Sequence, residues 1–261
     1  MYVFEITKPG TWLESEDRDK GWKIEQLLRH LESQFYEANL ALNLFISFLN
    51  RKRQTDPREQ WEADANRRSE ISRQLEQKYS SNTSREVWDQ LHFETEVVFK
   101  REQWQKGRLP REFEHNEGFI YARAFLYALD AFDKFLSVLS KEDGVPEAIT
   151  GLHGQLGEQF ADLRGVRNTA QHLEDRARGL GAGRNPRPLD LQPIENQMIN
   201  APNGGVLMLN CLNGTKYGST MADGHYGEVD VSPDSMGKLQ GIFQEVLNAF
   251  HWRGPKQHCP S

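Results

Sequence analysis

The sequence predicts a mainly α-helical protein: a multi-helix up-down bundle followed by a small three-stranded antiparallel sheet and a closing helix. Over about residues 20–178, apolar residues recur at spacings of three and four, the period of one helix face. After about residue 203 the pattern becomes strand-like, and Asn-Gly and Asp-Gly dipeptides favour tight turns. We therefore divide the chain into a bundle at 1–178, a connector at 179–202 and a C-terminal meander with its helix at 203–261.

Five helices are expected before residue 178, separated by turn and capping residues. Asp56 and Pro57 are typical of a cap followed by a first-turn proline, and Ser80–Ser84 is typical of a turn and cap. Gly107 and Pro110 interrupt the pattern once more. The expected ranges are about 20–53, 57–79, 85–106, 112–140 and 146–178.

The fourth of these helices is the most apolar. A helix that is hydrophobic on most of its circumference lies at the centre of a bundle or against a second subunit. Its apolar residues offer more hydrophobic surface than one bundle layer uses, which favours self-association. They are Phe119, Ile120, Phe125, Leu126, Leu129, Phe132, Phe135, Leu136 and Leu139.

The C-terminal part is expected to form a three-strand meander, with strands at Val206–Leu212, Thr215–Met221 and Tyr226–Val231. Ser232 as cap and Pro233 at the first helical position open the closing helix. The preceding connector is rich in Gly, Pro, Asn and Arg and is expected to be a long loop.

The fifth helix carries the most informative polar residues. Arg164, Asn168 and His172 follow one another at i, i+4 steps, so they are expected on one exposed stripe, with Arg167 and Gln171 on the neighbouring stripe. The opposite side of this helix is apolar and is expected to face the core. The pattern predicts a concentrated surface of Arg, Asn and His.

An arginine, a polar residue, three further residues and a histidine, here Arg167, Asn168 and His172, resemble the Arg-(four to six residues)-His motif of the HEPN family. Members of that family are small helical bundles that often dimerise and cleave RNA. The resemblance covers residues 1–178 as a bundle pattern. Many members carry a tyrosine shortly after the histidine, where this chain has Leu173–Asp175.

The resemblance implies a metal-independent endoribonuclease without a cofactor, of the toxin or phage-defence type. Arg167, Asn168 and His172 would be catalytic. RNA would be the substrate, an antitoxin or regulatory protein a possible partner, and the motif helices would face each other in a homodimer.

Three other pairs fit the loose motif, but their contexts differ. Two of them contain Pro110 or Pro255 and cannot form a regular helix, and the third has Glu86 where Asn168 stands in the preferred match. These pairs are Arg85–His92, Arg108–His115 and Arg253–His258.

The chemistry of RNA explains why so few residues would suffice. The 2′-hydroxyl is the nucleophile, so cleavage needs a base, a cation at the phosphate and an acid for the leaving 5′-oxygen. Histidine titrates near neutral pH and arginine forks two donors onto phosphate oxygens, which suits His172 and Arg167. Arg164, Gln171 and Arg176 are expected to bind RNA phosphates, and no metal ligand is assigned.

The composition argues against several other classes of protein. The net charge of −6 argues against a general polyanion-binding surface, although residues 164–187 hold six arginines and two acids. Two cysteines suit a reducing compartment, and neither a leader nor an apolar run of about 20 residues is visible. We therefore expect a cytoplasmic protein that does not enter a membrane.

The alternatives are weaker. A di-metal bundle needs paired Glu-x-x-His motifs, and His115 ends the single full match, with an imperfect second copy ending at His92. Cys211 lies in an expected strand without a local signal of activation. The competing interpretation of the motif is a non-catalytic module that binds RNA, nucleotides or protein, in which the arginines and Asn168 are exposed and His172 satisfies a surface hydrogen bond.

Overall fold

The computed structural model describes residues 1–54, 57–79 and 84–261. Helices account for 58% of the residues, and the C-terminal sheet and closing helix are present, so the predicted fold class is confirmed. The helices are α1 (Arg18–Gln54), α2 (Pro57–Glu76), α3 (Arg85–Gln105), α4 (Arg111–Leu139), α5 (Ala148–Gln159), α6 (Leu163–Gln171), α7 (Leu173–Ala177) and α8 (Pro233–Asn248). The strands are β1 (Ile6–Lys8), β2 (Trp12–Leu13), β3 (Ile194–Glu195), β4 (Asn200–Ala201), β5 (Cys211–Asn213), β6 (Lys216–Thr220), β7 (Tyr226–Asp230), β8 (Trp252–Arg253) and β9 (Gln257–Cys259).

The chain forms two compact units whose boundaries differ from those expected from the sequence. Unit 1 comprises residues 1–47 and 119–261, and unit 2 comprises residues 48–118. The C-terminal sheet and α8 belong to unit 1, together with the helices that surround them. None of the helices in the described ranges has the length and apolar run that crossing a membrane requires.

The core of unit 1 is aromatic and joins distant parts of the chain. Phe35 from α1 and Phe132 from α4 both pack against Phe243 from α8, with ring centroids 5.4 and 5.5 Å apart. All three are fully buried. Most of the apolar residues predicted for the fourth helix lie inside unit 1, whereas Ile120 is 54% exposed. The fully buried ones are Phe125, Leu126, Leu129, Phe132, Leu136 and Leu139.

The two ends of the chain pair with each other. β1 lies antiparallel to β9, with Ile6 opposite Cys259, and β2 lies antiparallel to β8, with Trp12 opposite Arg253. These two short pairings close unit 1 and join segments that lie about 240–250 residues apart in the sequence.

The meander has the predicted order β5-β6-β7, but its first strand is shorter. Pairing of Asn213 with Lys216 makes Gly214 and Thr215 the two-residue turn, and Gly214 has a positive φ of 61°. The predicted strand residues 206–210 lie outside β5. They run beside the end of β6 instead, where Met208 and Thr220 exchange two hydrogen bonds.

The prediction of a single helix at 146–178 is wrong, because the chain forms α5, α6 and α7 there. The first break lies at Phe160, whose φ and ψ are −128° and 52°. It buries Phe160 and lets the Asp162 carboxylate accept a hydrogen bond from the Glu228 amide of β7 at 3.1 Å. Three glycines in α5 weaken its own helix propensity, so the contacts with the sheet decide the geometry.

Unit 2 contains the α2–α3 hairpin, which ion pairs hold along its length. Arg67 donates to Glu102 at 2.7 and 2.8 Å, Arg68 donates to Glu96, and Arg108 donates to Asp64. Hydrogen bonds from Arg67 lower the pKa of the Glu102 carboxyl. A small core accompanies these pairs, formed by Ile71, Leu75, Leu91 and Phe99.

Two predicted helix starts involve residues outside the described ranges. Asp56, expected to cap α2, and Ser80–Thr83 of the expected turn are among them. Ser84 does cap α3, because its side chain accepts from the Val87 amide. Pro57 begins α2 as expected.

The connector is more ordered than the sequence suggested. β3 and β4 form a short hairpin within it, and the Gln192 amide donates to the Gly224 carbonyl at 3.1 Å. Gly224 has a positive φ of 87°, and a Cβ there would overlap the Asp190 carbonyl oxygen. The connector therefore packs against the turn between β6 and β7.

This packing predicts that Gly224→Ala lowers the free energy of unfolding by roughly 3 kcal/mol, because backbone strain adds to the steric overlap. Gly214→Ala is the matched control: its φ is also positive, but no atom lies within 4 Å of the added Cβ. That change should cost only about 1 kcal/mol. Urea unfolding measures both, and equal losses would contradict the packing of the connector on this turn.

Candidate functional site

The motif helix α6 is anchored on the meander. Thr169 is fully buried and donates its hydroxyl hydrogen to the Thr220 carbonyl of β6 at 3.2 Å. Gly165 faces Met221, whose side chain occupies the place that a Cβ would take. Together with the hydrogen bond that the Glu228 amide donates to the Asp162 carboxylate, these contacts fix one face of α6 on β6 and β7. The sequence assigned the meander no role in positioning the motif.

Arg167 does not lie on an exposed stripe. Its Nε is 2.8 Å from Asp130 Oδ1 on α4, and the two side chains are 12% and 8% exposed. This contact is close enough for an ion pair, yet Nε lacks hydrogen-bond geometry and finds no partner. Nη1 donates to the Gln171 side chain at 2.7 Å. The attraction between the two charges, more than a directed hydrogen bond, holds the guanidinium in place.

Asp130 is the residue of this site that sequence reasoning missed. It is buried, and its second carboxylate oxygen lies 2.7 Å from Nζ of Lys134, one turn later on α4. A carboxylate within the most apolar helix was the available signal, because charged residues are almost never buried unless they are paired. The structure thus brings Asp130, Lys134 and Arg167 together.

A second pair lies one turn along the same helix face. Asp133, at i+3 from Asp130, has Oδ1 3.1 Å from Nε2 of His153 on α5. Both side chains are about one-third exposed. A carboxylate beside an imidazole sets its orientation, so His153 is a second candidate for proton transfer that the sequence did not single out.

His172 ends α6 and precedes α7, with a φ of −126° and a ψ of 43°. Its ring is 57% exposed, and Nδ1 lies 3.6 Å from Glu174 Oε1. His172, Glu174 and Asp175 place one potential ligand atom each within 4.8 Å, the one such group found in the described ranges. Asp175 also pairs with Arg178 at 2.5 Å. His172 is therefore open to solvent, but acids surround it.

The predicted phosphate-binding residues separate. Arg164 and Gln171 are exposed and Asn168 is half-buried. Arg176 is fully buried and donates through Nη1 to the carbonyls of Leu180 and Gly181, both at 2.5 Å. Arg176 therefore does not lie at the surface, where it was expected to bind phosphate: its Nη1 serves the start of the connector, and its Nε is buried without a partner.

Cys211 has no activating neighbour. Burial raises the pKa of its thiol, and the nearby Glu228 carboxylate raises it further. A thiolate is the nucleophilic form of cysteine, so this environment opposes nucleophilic chemistry at Cys211.

The buried ion pair predicts strong coupling between Asp130 and Arg167. Removing Asp130 leaves the Arg167 guanidinium buried without its counter-ion, so Asp130→Ala should lower the free energy of unfolding by roughly 3 kcal/mol. Arg167→Ala should cost less, because Asp130 keeps its contact with Lys134. The double variant should lose less than the sum, with a coupling of roughly 1–3 kcal/mol by denaturant unfolding.

The exposed pair Arg178 and Asp175, with side chains 64% and 26% exposed, is the control. Its double-mutant cycle should give a coupling below about 1 kcal/mol. Additive losses at Asp130 and Arg167 would show that the two side chains do not interact.

Comparisons of the chain with protein-family models, with curated proteins and with solved structures found no match. The geometry of α6 and its neighbours is thus the ground on which a function is proposed.

Proposed function

We propose that the chain is a metal-independent endoribonuclease of the HEPN type, with its site at the C-terminal half of α6. The supporting observation is that the short helix α6 carries a fixed arginine and is followed directly, at its C-cap, by a solvent-exposed histidine. Asp130 and Gln171 hold Arg167, while its Nη2 donates to no described protein group. That donor is available to a phosphate oxygen.

The residues divide the reaction between them. His172 takes the proton from the 2′-hydroxyl, whose oxygen forms the new bond to phosphorus as the bond from phosphorus to the 5′-oxygen breaks. Arg167 stabilises the charge that gathers on the phosphate, and exposed Arg164 assists in binding. The departing 5′-oxygen receives a proton from a second acid, which the His172 of another copy supplies in a dimer. The products are a 2′,3′-cyclic phosphate and a 5′-hydroxyl.

Asn168 is half-buried and lies on α6 between the two catalytic residues. Its place one turn before His172 suits it to orient the imidazole or the phosphate. Lys134 beside Asp130 adds a cation, so the local charge at Arg167 is not cancelled by the carboxylate alone.

The non-catalytic binding module is the second candidate, and two observations favour it. Arg167 is mostly buried, so its guanidinium has a structural role whether or not RNA binds. Glu174 and Asp175 stand beside His172 and repel a phosphate. Both candidates bind RNA, and turnover separates them.

The cellular role follows from the same resemblance. A toxin or phage-defence ribonuclease acts in the cytoplasm, and an antitoxin or regulatory protein restrains it. Self-association belongs to this proposal as well. Much of the apolar surface of α4 lies in the core of unit 1, but Ile120 and Val138 remain 54% and 46% exposed.

The proposal predicts cleavage of single-stranded RNA that persists in EDTA and leaves cyclic phosphate ends, because the nucleophile comes from RNA and the proton transfer from histidine. His172→Ala should reduce the rate by about 10²- to 10⁴-fold. Arg167→Lys keeps the positive charge opposite Asp130 but loses the paired N–H donors of the guanidinium. It should therefore also reduce the cleavage rate strongly. Gel analysis of end-labelled RNA measures both.

His225→Ala is the matched control. His225 is 61% exposed with Nδ1 3.5 Å from Asp223 Oδ2, which closely matches the environment of His172. This variant should cleave like the parent. RNA binding without cleavage would support the binding module instead, and equal loss in both histidine variants would rule out a specific role for His172.

A further inference from the structure

The α3 helix of unit 2 has an exposed stripe on the side opposite its contact with α2. Leu91, Thr95 and Phe99 face the hairpin core. Phe93, Val97 and Trp104 follow the opposite side at spacings of four and seven, and Phe93 and Trp104 are 62% and 48% exposed. An isolated surface aromatic is ordinary, but aromatic and aliphatic residues in line along one helix face are typical of a docking surface.

Charges are sorted along the same stripe. Glu86 and Asp89 lie at its N-terminal end, and Lys100 and Arg101 lie near its C-terminal end, all exposed. None of the four forms a salt bridge within residues 1–54, 57–79 and 84–261. This contrasts with the inner side of the hairpin, where Arg67 and Arg68 are paired with acids of α3.

We propose that this stripe binds a second copy of the chain, with two α3 helices packed antiparallel about a two-fold axis that crosses the stripe midway between Phe93 and Val97. That register sets Asp89 opposite Arg101 of the other copy and Phe93 opposite its Val97. A two-fold interface must be complementary to itself, and acid at one end with base at the other meets this requirement only when the helices are antiparallel. A parallel pair would bring like charges together.

The area sets the strength of the dimer. A fully buried aromatic side chain covers about 150–250 Å², so Phe93 and Trp104 of two copies, about half exposed, contribute on the order of 400 Å². With Val97 and the stems of the charged residues, the interface stays at the low end for specific association, below about 1,200 Å². The dimer should therefore be weak, with a Kd on the order of tens of micromolar. This inference does not depend on the nuclease proposal.

Charge reversal tests the arrangement in the full-length chain. Variant A carries Glu86→Lys and Asp89→Lys, and variant B carries Lys100→Glu and Arg101→Glu. Each alone places like charges at both ends of the interface and should weaken self-association more than tenfold by sedimentation equilibrium. An equimolar mixture of A and B restores opposite charges at both ends, so it should form a heterodimer about as strong as the parent dimer.

The control is Lys23→Glu with Arg187→Glu, which changes the net charge as variant B does, at exposed residues of unit 1. It should dimerise like the parent. Circular dichroism confirms that each variant is folded. A monomeric parent at roughly 100 µM, a parent dimer insensitive to either reversal, or a mixture of A and B that stays monomeric would each overturn the proposal. Cleavage of RNA is measured separately, and its failure leaves this result unaffected.

Discussion

Helix α6 is held from two sides, and the arrangement of unit 1 around the motif depends on that double attachment. On one side Arg167 meets the buried Asp130 of α4, and on the other Thr169 donates to Thr220 of β6. Two residues apart on a nine-residue helix, these side chains face different partners. A helix this short is marginal in isolation, so packing and not propensity keeps it folded.

This attachment explains the shape of the chain before and after α6. The break at Phe160 places Asp162 where it accepts from the Glu228 amide, and the change of direction at His172 leads into α7. Buried Arg176 then ties the start of the connector through two carbonyls. The connector in turn packs on the turn at Gly224. A continuous series of contacts therefore runs from α6 through Arg176 to the connector. The connector is ordered by these contacts although its composition is typical of a loop.

Burial changes what the motif can do. An exposed arginine would bind phosphate as a mobile cation, whereas Asp130 and Gln171 already orient Arg167, which favours the proposed phosphate contact. The same contact with Asp130 is expected to stabilise unit 1, so an alanine variant of Arg167 should lose stability as well as the proposed activity. His172 is the cleaner probe, because its exposed ring has no buried partner to leave behind.

Unit 2 uses charge in two ways on one helix. Toward α2, the glutamates of α3 are neutralised by arginines, which lowers the pKa of Glu102 and aligns the hairpin. On the outer side, acids and bases are segregated to opposite ends and remain exposed. The inner charges pair within the hairpin, and the outer charges are the basis on which we propose association with a second copy.

The sequence by itself determined the helical class, the starts of α2, α3 and α8, and the order of the meander, because caps, prolines, turn dipeptides and apolar periodicity act locally. The spacing of Arg167, Asn168 and His172 also suggested the motif, which stays a prediction, and the structure ends α6 at Gln171, so that His172 lies at its C-cap. Tertiary structure alone decided that Arg167 is buried against Asp130, that Arg176 faces the connector, and that one long periodic segment breaks into α5, α6 and α7. Asp130 and Arg167 are far apart in sequence, and periodicity shows which side of a helix is polar but not which distant charge that side will meet.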